Sequence, residues 1–166
     1  MTQAAPALDA FDLKILAALQ ADASRSIAEI AGLVNLSQNA CWRRIKLLEE
    51  AGFIRARVAL LDAKKLGCGV TVFVSLSAGE HSEAWLDAFA ERVAEMPEVV
   101  EFYRMSGEVD YLIKLQVADI AAYDRVYKEL IRAGRLRDVS AAFAMEELKQ
   151  THAVPLPPPG RGARAG

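Results

Sequence analysis

Ser26-Ile-Ala-Glu-Ile-Ala-Gly-Leu-Val-Asn-Leu-Ser-Gln-Asn-Ala-Cys-Trp-Arg-Arg-Ile-Lys-Leu-Leu-Glu-Glu-Ala-Gly52 carries two helix starts eleven residues apart. Ser26 and Glu29 stand in the S-x-x-E spacing of a capping box, in which each side chain satisfies a backbone N–H that a helix start leaves unpaired. Ile27, Ile30, Ala31 and Val34 follow at three- and four-residue steps, one face of a helix. Asn35-Leu36 interrupts that period. Ser37 then caps a second helix, by a single bond because residue 40 is Ala and offers no return partner.

In the second helix Cys41, Ile45 and Leu48 step by four and three and face inward. Ser37, Gln38, Asn39, Trp42, Arg43 and Lys46 fall on the other side. Two short helices with a tight turn, the second polar and basic outside, form the layout of a helix-turn-helix, whose second helix enters the DNA major groove. Gln and Asn can pair bidentately with adenine and Arg with guanine. Arg44 and Lys46 are placed for phosphates, which fix register without reading sequence, and the helix start itself attracts a phosphate. A solvated basic face is the competing reading. Residues 8–20 supply a preceding helix capped by Asp9, with Leu8, Ile15, Leu16 and Leu19 as its apolar stripe. The alternation Phe53-Ile-Arg-Ala-Arg-Val-Ala-Leu60 predicts a short strand or wing with Arg55 and Arg57 on one side, towards a DNA backbone.

The 166 residues carry a net charge of −2, which argues against coating of nucleic acid along the whole surface. The distribution is uneven. Residues 1–57 hold seven Lys/Arg and six Asp/Glu, residues 58–154 eleven and sixteen. Phosphates attract the first part and repel the second. Cys41 and Cys68 have neither metal-ligand nor disulfide-framework spacing, which fits a reducing cytoplasm; Cys41 reads as a small buried residue. His81 and His152 are isolated. No apolar run approaches the roughly 18 residues of a membrane span, and the first residues lack the basic-then-apolar pattern of a secretory signal, so none is expected. Nothing marks an enzyme: no nucleophile beside a base, no metal constellation, no phosphate-cradling glycine loop and no cofactor motif.

Residues 58–69 read as a linker, and Val70–Ser77 as a strand rich in β-branched side chains. Trp85, Leu86, Phe89, Val93 and Met96 form a helical stripe ended by Pro97. Residues 99–106 and 110–117 are strands around a Gly107 turn. Ile120, Tyr123, Tyr127, Leu130 and Ile131 mark another helix, and 139–145 a last strand. The order β-α-β-β-α-β is the ferredoxin-like arrangement. The fold class is therefore α+β: a winged helix-turn-helix over 1–57, the linker, a ferredoxin-like domain over 70–154, and a Pro/Gly-rich tail over 155–166, expected to be disordered because it cannot offset its ordering entropy. Helices cover only one face of such a sheet. Phe73 points to the other, so a second copy is expected to cover it, and a two-fold dimer would present two reading helices to half-sites about 34–36 Å apart.

These blocks together resemble the Lrp/AsnC (feast/famine) regulators over residues 8–154. Leu8-Asp9, Asp12, Ile15-Leu16 and Leu19-Gln20 are similar to that family's opening helix. Leu36-Ser37, Arg44-Ile45, Leu48-Glu49 and Gly52-Phe53-Ile54 are similar to its recognition-helix segment. Leu66-Gly67, Pro97-Glu98-Val99, Gly107-x-x-Asp110 and the run from Asp138 to Glu147-Leu148-Lys149 are similar to its effector domain. The resemblance implies a homodimer, often an octamer of four dimers, that binds promoter DNA and responds to an amino acid. It places the pocket near the Gly-x-x-Asp loop between neighbouring subunits, hence at Gly107 and Asp110 with Tyr103, Met105, Ser106, Glu108 and Ser140 nearby. Asp110 would pair with an α-ammonium and backbone N–H groups of the turn would receive a carboxylate. The stretches Cys41-Trp42, Phe102 to Gly107 and Phe143 to Glu146 resemble a branch for which sulfur amino acids, cysteine especially, are candidate effectors. An amino-acid-sensing adaptor whose helix-turn-helix binds protein through Trp42 is the alternative.

Overall fold

The computed structural model describes residues 7–79, 82–134 and 136–158. His81 and the tail from residue 159, with Arg161 and Arg164, lie outside them. The chain divides into two compact units: residues up to Ala59 together with those from Lys149 onward, and Leu60–Leu148.

The first unit is built from α1 (Ala10–Ala21), α2 (Ile27–Val34) and α3 (Gln38–Glu50). Each start is secured locally. At α1 the Asp9 carboxylate accepts from the Phe11 and Asp12 amides, and Asp12 returns the favour to the Asp9 N–H. Leu8 and Leu13 occupy the flanking positions of a hydrophobic staple and are both buried. At α2 the Ser26 amide donates to Glu29 at 2.7 Å and the Glu29 amide to Ser26 Oγ at 3.3 Å. Asn35 ends α2 in the left-handed region at φ 57°, which Asn tolerates better than most residues. Leu36 follows at once, and the Ala40 amide donates to Ser37 Oγ at 3.2 Å. The core holds Ile15, Leu19, Ile30, Val34, Cys41, Ile45 and Leu48.

Two expectations fail here. Residues 53–60 form no strand. Gly52 at φ 77° turns the chain out of α3, the Phe53 and Ile54 amides donate back to the Leu48 carbonyl, and both side chains pack on the helical core. A strand needs a partner, and this one has none among the described residues. Nor does the C-terminal stretch up to residue 158 trail away, or belong with the second unit. The Gln20 side-chain amide donates to the Val154 carbonyl and accepts from the Val154 amide, both at 3.2 Å, and Leu156 packs against the helical core.

The second unit holds β1 (Val70–Ala78), α4 (Glu83–Ala94), β2 (Val99–Arg104), β3 (Tyr111–Val117), α5 (Ile120–Ala133) and β4 (Leu136–Phe143). The four-stranded antiparallel sheet has the order β2-β3-β1-β4, the ferredoxin-like topology. Its last strand begins three residues earlier than the β-branched run suggests. Val72, Val74, Leu76, Ile113 and Leu115 face α4 and α5 and are sealed with Phe89, Val93, Val126 and Leu130. Trp85 stacks on Phe89 at 5.0 Å. The opposite face carries Thr71, Phe73, Ser75, Leu112, Lys114 and Gln116 by alternation; Phe73 is 38% exposed.

At Gly134, directly after α5, an added Cβ would sit 2.8 Å from Trp85 Cζ2 and 3.0 Å from Phe89 Cδ2. Gly134→Ala is therefore expected to displace the stacked pair and destabilise this unit by about 1–3 kcal/mol, read as a lowered denaturation midpoint with weakened near-ultraviolet aromatic dichroism. In the first unit, hydrogen bonds from Ser26 hold Glu29 below the ordinary carboxylate range. Burial pushes Asp9 upward, but the Asp12 amide and Arg44 outweigh it and bring Asp9 below that range too. Depressed folded values mean that the unfolded chain binds more protons. The stabilisation is complete above the ordinary carboxylate range and is lost as pH falls through the folded values. Melting temperature should fall on acidification below about pH 4, and Glu29→Gln should flatten that dependence.

Candidate functional site

Two regions gather the candidate residues, one in each unit. In the first, burial sorts the residues of α3 cleanly. Cys41 and Ile45 are 0% and 1% exposed, while Ser37, Gln38, Asn39, Trp42, Arg43 and Lys46 are all exposed. Burial also pushes the Cys41 thiol up, as befits a packing residue. The indole of Trp42 is half exposed, at 51%. Arg43 forms no ion pair with a described residue. The two Asx/Gln side chains and Ser37 sit at the start of the helix, where its unpaired N–H groups also lie.

The other cations are not equivalent. Arg44 is already engaged within the protein. Its Nη1 lies 2.7 Å from both Asp9 and Asp12, and its guanidinium stands 5.4 Å from the centroid of Phe11. It ties α3 to the start of α1, and the Asp12 and Asp9 carboxylates hold its proton more firmly still. Arg57 pairs with Glu49 at 2.8 Å and Lys46 with the same carboxylate at 2.7 Å. Arg55 and Arg57 are exposed but share no strand face, since no strand forms there.

In the second unit the turn from Met105 to Asp110 closes the β2–β3 hairpin. Gly107 has φ 140°, a conformation that side chains rarely adopt, and open space surrounds the position where a Cβ would stand. Ser106, Gly107 and Glu108 are exposed, as are Tyr103 and Met105. Asp110 is partly committed. Its amide donates to the Leu76 carbonyl at 2.9 Å, its carbonyl accepts from the Met105 amide at 2.8 Å, and its Oδ2 accepts from the buried Ala78 amide at 2.8 Å. It thus fastens the hairpin to the end of β1 and leaves one carboxylate oxygen for other use.

Tyr103 and Ser140 are on the open sheet face, Tyr103 just before the turn and Ser140 away from it. The register runs Tyr103–Leu112, Leu112–Ser75 and Ser75–Ser140, one row across all four strands. Three strand spacings put the two backbones about 14 Å apart, so Ser140 is not a close neighbour of the Gly107 turn. Residues not singled out from sequence fill the space around that row. The Tyr103 hydroxyl donates to Glu101 Oε2 at 2.7 Å, and Lys114 Nζ lies 3.0 Å from Glu101 Oε1. That carboxylate pushes the Tyr103 hydroxyl above its usual range. Strand alternation places Glu101 and Lys114 on this face, but only the pairing of β2 with β3 makes them neighbours.

Comparison with known proteins bears on both regions. A family model described as the AsnC-type helix-turn-helix domain matches residues 8–49, and one described as the Lrp/AsnC ligand binding domain matches residues 71–154. A glutamate uptake regulatory protein from Zymomonas mobilis is 57% identical over 150 residues, covering 90% of this chain and 92% of the relative. The crystal structure of an AsnC family transcriptional regulator from Agrobacterium tumefaciens superposes with a TM-score of 0.87 at 55% identity, covering 89% of this chain and 97% of that one. A transcriptional regulator from Neisseria meningitidis, solved as a complex with L-Met, gives a TM-score of 0.85 at 32% identity, covering 89% and 96%. With a helix-turn-helix of the right topology followed in the chain by a ferredoxin-like domain, the chain belongs to the Lrp/AsnC family of DNA-binding transcriptional regulators.

Proposed function

We propose that this regulator reads operator DNA through the outer side of α3 and adjusts its occupancy to an amino acid bound at the Met105–Asp110 end of the sheet. The observation that carries the reading is the division of α3: three side chains seal it to the core, and the polar set Gln38, Asn39, Trp42 and Arg43 is left facing solvent. Gln38 and Asn39 offer adenine-type pairing, Arg43 guanine-type pairing, and Trp42 an apolar surface for a thymine methyl. Ser37, Lys46, Arg55 and Arg57 supply contacts to phosphate. Lys46 and Arg57 must exchange Glu49 for it, at little cost because these pairs are exposed. A regulator that acts on the chromosome works in the cytoplasm.

Two copies are proposed to pair through the open sheet face around Phe73 and Leu112, which presents two reading heads; four such dimers would make the octamer that the family resemblance implies. For the effector, the free oxygen of Asp110 would take an α-ammonium, and the N–H groups at Ser106, Gly107 and Glu108 a carboxylate. The L-Met complex of a relative supports an amino acid, and sulfur amino acids including cysteine head the panel to be tested. Met105, Tyr103 and Ser140 would approach the ligand from the sheet or from a neighbouring subunit.

Arg43 and Arg44, adjacent in sequence, should behave oppositely. Arg43→Ala is expected to weaken binding to the preferred operator by about 1–3 kcal/mol, relax specificity at one position and leave the melting temperature unchanged. Arg44→Gln should lower the melting temperature while the dependence of affinity on salt stays within one phosphate contact of the parent. Fluorescence anisotropy titrations over a salt series, with calorimetric melting, check both. Loss of specificity in Arg44→Gln instead would move the reading face. At the other site, Asp110→Asn keeps an acceptor for Ala78 and should retain stability while weakening amino-acid binding at least about tenfold. Asp110→Ala should also lose stability, because it leaves a buried N–H unpaired. Titration calorimetry with cysteine, methionine, leucine and glutamate decides; affinity unchanged in Asp110→Asn places the ammonium elsewhere.

A further inference from the structure

We propose that the last turn of α1 is a docking site for the chain's own residues 150–158, and that this docking is a second restraint on the DNA-reading unit. The helical unit is entered from the second unit twice along the chain: once through residues 59–60 and once through 148–149, where the backbone leaves the sheet domain and returns to the helices. The return is held by a specific contact. Gln20 stands one residue before the end of α1, and its amide group engages both the N–H and the C=O of Val154. A side-chain amide alone among common groups carries a donor and an acceptor side by side, so one glutamine does for Val154 what a neighbouring strand would do. Two residues on, Leu156 packs on the helical core and Pro157 is half-buried.

The composition that makes this stretch look idle is what lets it dock cheaply. Pro155, Pro157 and Pro158 fix φ and favour an extended backbone before any contact is made. The ordering cost falls because the undocked chain has fewer conformations to lose. An extended segment of three or four residues needs no strand partner if its main chain has one bidentate partner and one apolar anchor.

The consequence concerns geometry between reading heads, and it rests on the dimeric reading proposed above. A head held by the linker alone can reorient over a wide range. A head clasped at both ends presents α3 in a narrower range, so two heads on a dimer accept fewer half-site separations. The site also offers regulation, since whatever strips residues 150–158 from α1 widens that range without touching α3.

The test uses the full chain, Gln20→Ala and Leu156→Asp. Gln20 is exposed, so its alanine variant removes the amide clasp with no cavity; Leu156→Asp removes the anchor. Hydrogen exchange without DNA comes first. Amides in the last turn of α1 should exchange at least about tenfold faster in both variants, while those of β1 and β3 stay unchanged. Equal exchange in the parent and both variants overturns the docking. Second, a duplex selected by the full chain from a random pool is compared with the same duplex carrying about 5 extra base pairs between half-sites, half a helical turn. The parent should discriminate strongly between them and the variants several-fold less. Discrimination equal in all three overturns the restraint. A parent that binds both duplexes alike overturns the restraint together with the two-headed reading, and the exchange data, which need no DNA, still decide the docking.

Discussion

The whole arrangement depends on the burial of one side of α3. Cys41, Ile45 and Leu48 are taken out of water in the core shared with α1 and α2, each large apolar side chain contributing about 1.5–3 kcal/mol. A helix fixed on that side has no rotational freedom left. Gln38, Asn39, Trp42 and Arg43 therefore stand outward, with no side-chain hydrogen bond or ion pair to a described residue to hold them there. The caps at Asp9, Ser26 and Ser37 and the left-handed Asn35 serve the same end, since they fix where each helix starts and so which residues share a side. Arg44 completes the scheme. It stands between outward Arg43 and inward Ile45, and its two carboxylate partners come from the opposite end of the unit.

The sheet domain shows the same economy with a different geometry. The centre of its helix-covered face is apolar, and the mixed character of the other face is organised by pairs: Lys114 with Glu101, Thr71 with Gln116. Apolar area remains at Phe73 and Leu112. A surface of this kind can meet a second copy or a small zwitterion, because its charges are already balanced locally. The Gly107 turn sits at the end of the hairpin, where backbone N–H groups are not consumed by the ladder.

What could be read in the sequence was what is local. The Ser26–Glu29 box spans four residues, and the alternation of Val72, Val74 and Leu76 is visible in the strand itself. The failures are contacts between distant residues. Arg44 finds Asp12 from 32 residues away and Asp9 from 35, so basic composition alone places it among the phosphate contacts. Arg55 and Arg57 alternate as a strand would, but a strand exists only with its partner, and the Gly52 turn spends Phe53 and Ile54 on the core. Ser140 reaches its place through two intervening strands whose order no local pattern reveals. Gln20 and Val154 are 134 residues apart, and nothing in a proline-rich stretch announces that a helix end awaits it.

The committed state of Arg44 carries a consequence for how such a protein is used. With that guanidinium neutralised internally and Arg57 and Lys46 sharing Glu49, Arg43 and Arg55, which form no ion pair with a described residue, are the cations of this stretch that can meet a duplex without exchanging a partner. In the two-headed arrangement proposed above, residence would draw on both heads landing together, and promoter occupancy would rise more steeply than in proportion to the number of molecules in the cell.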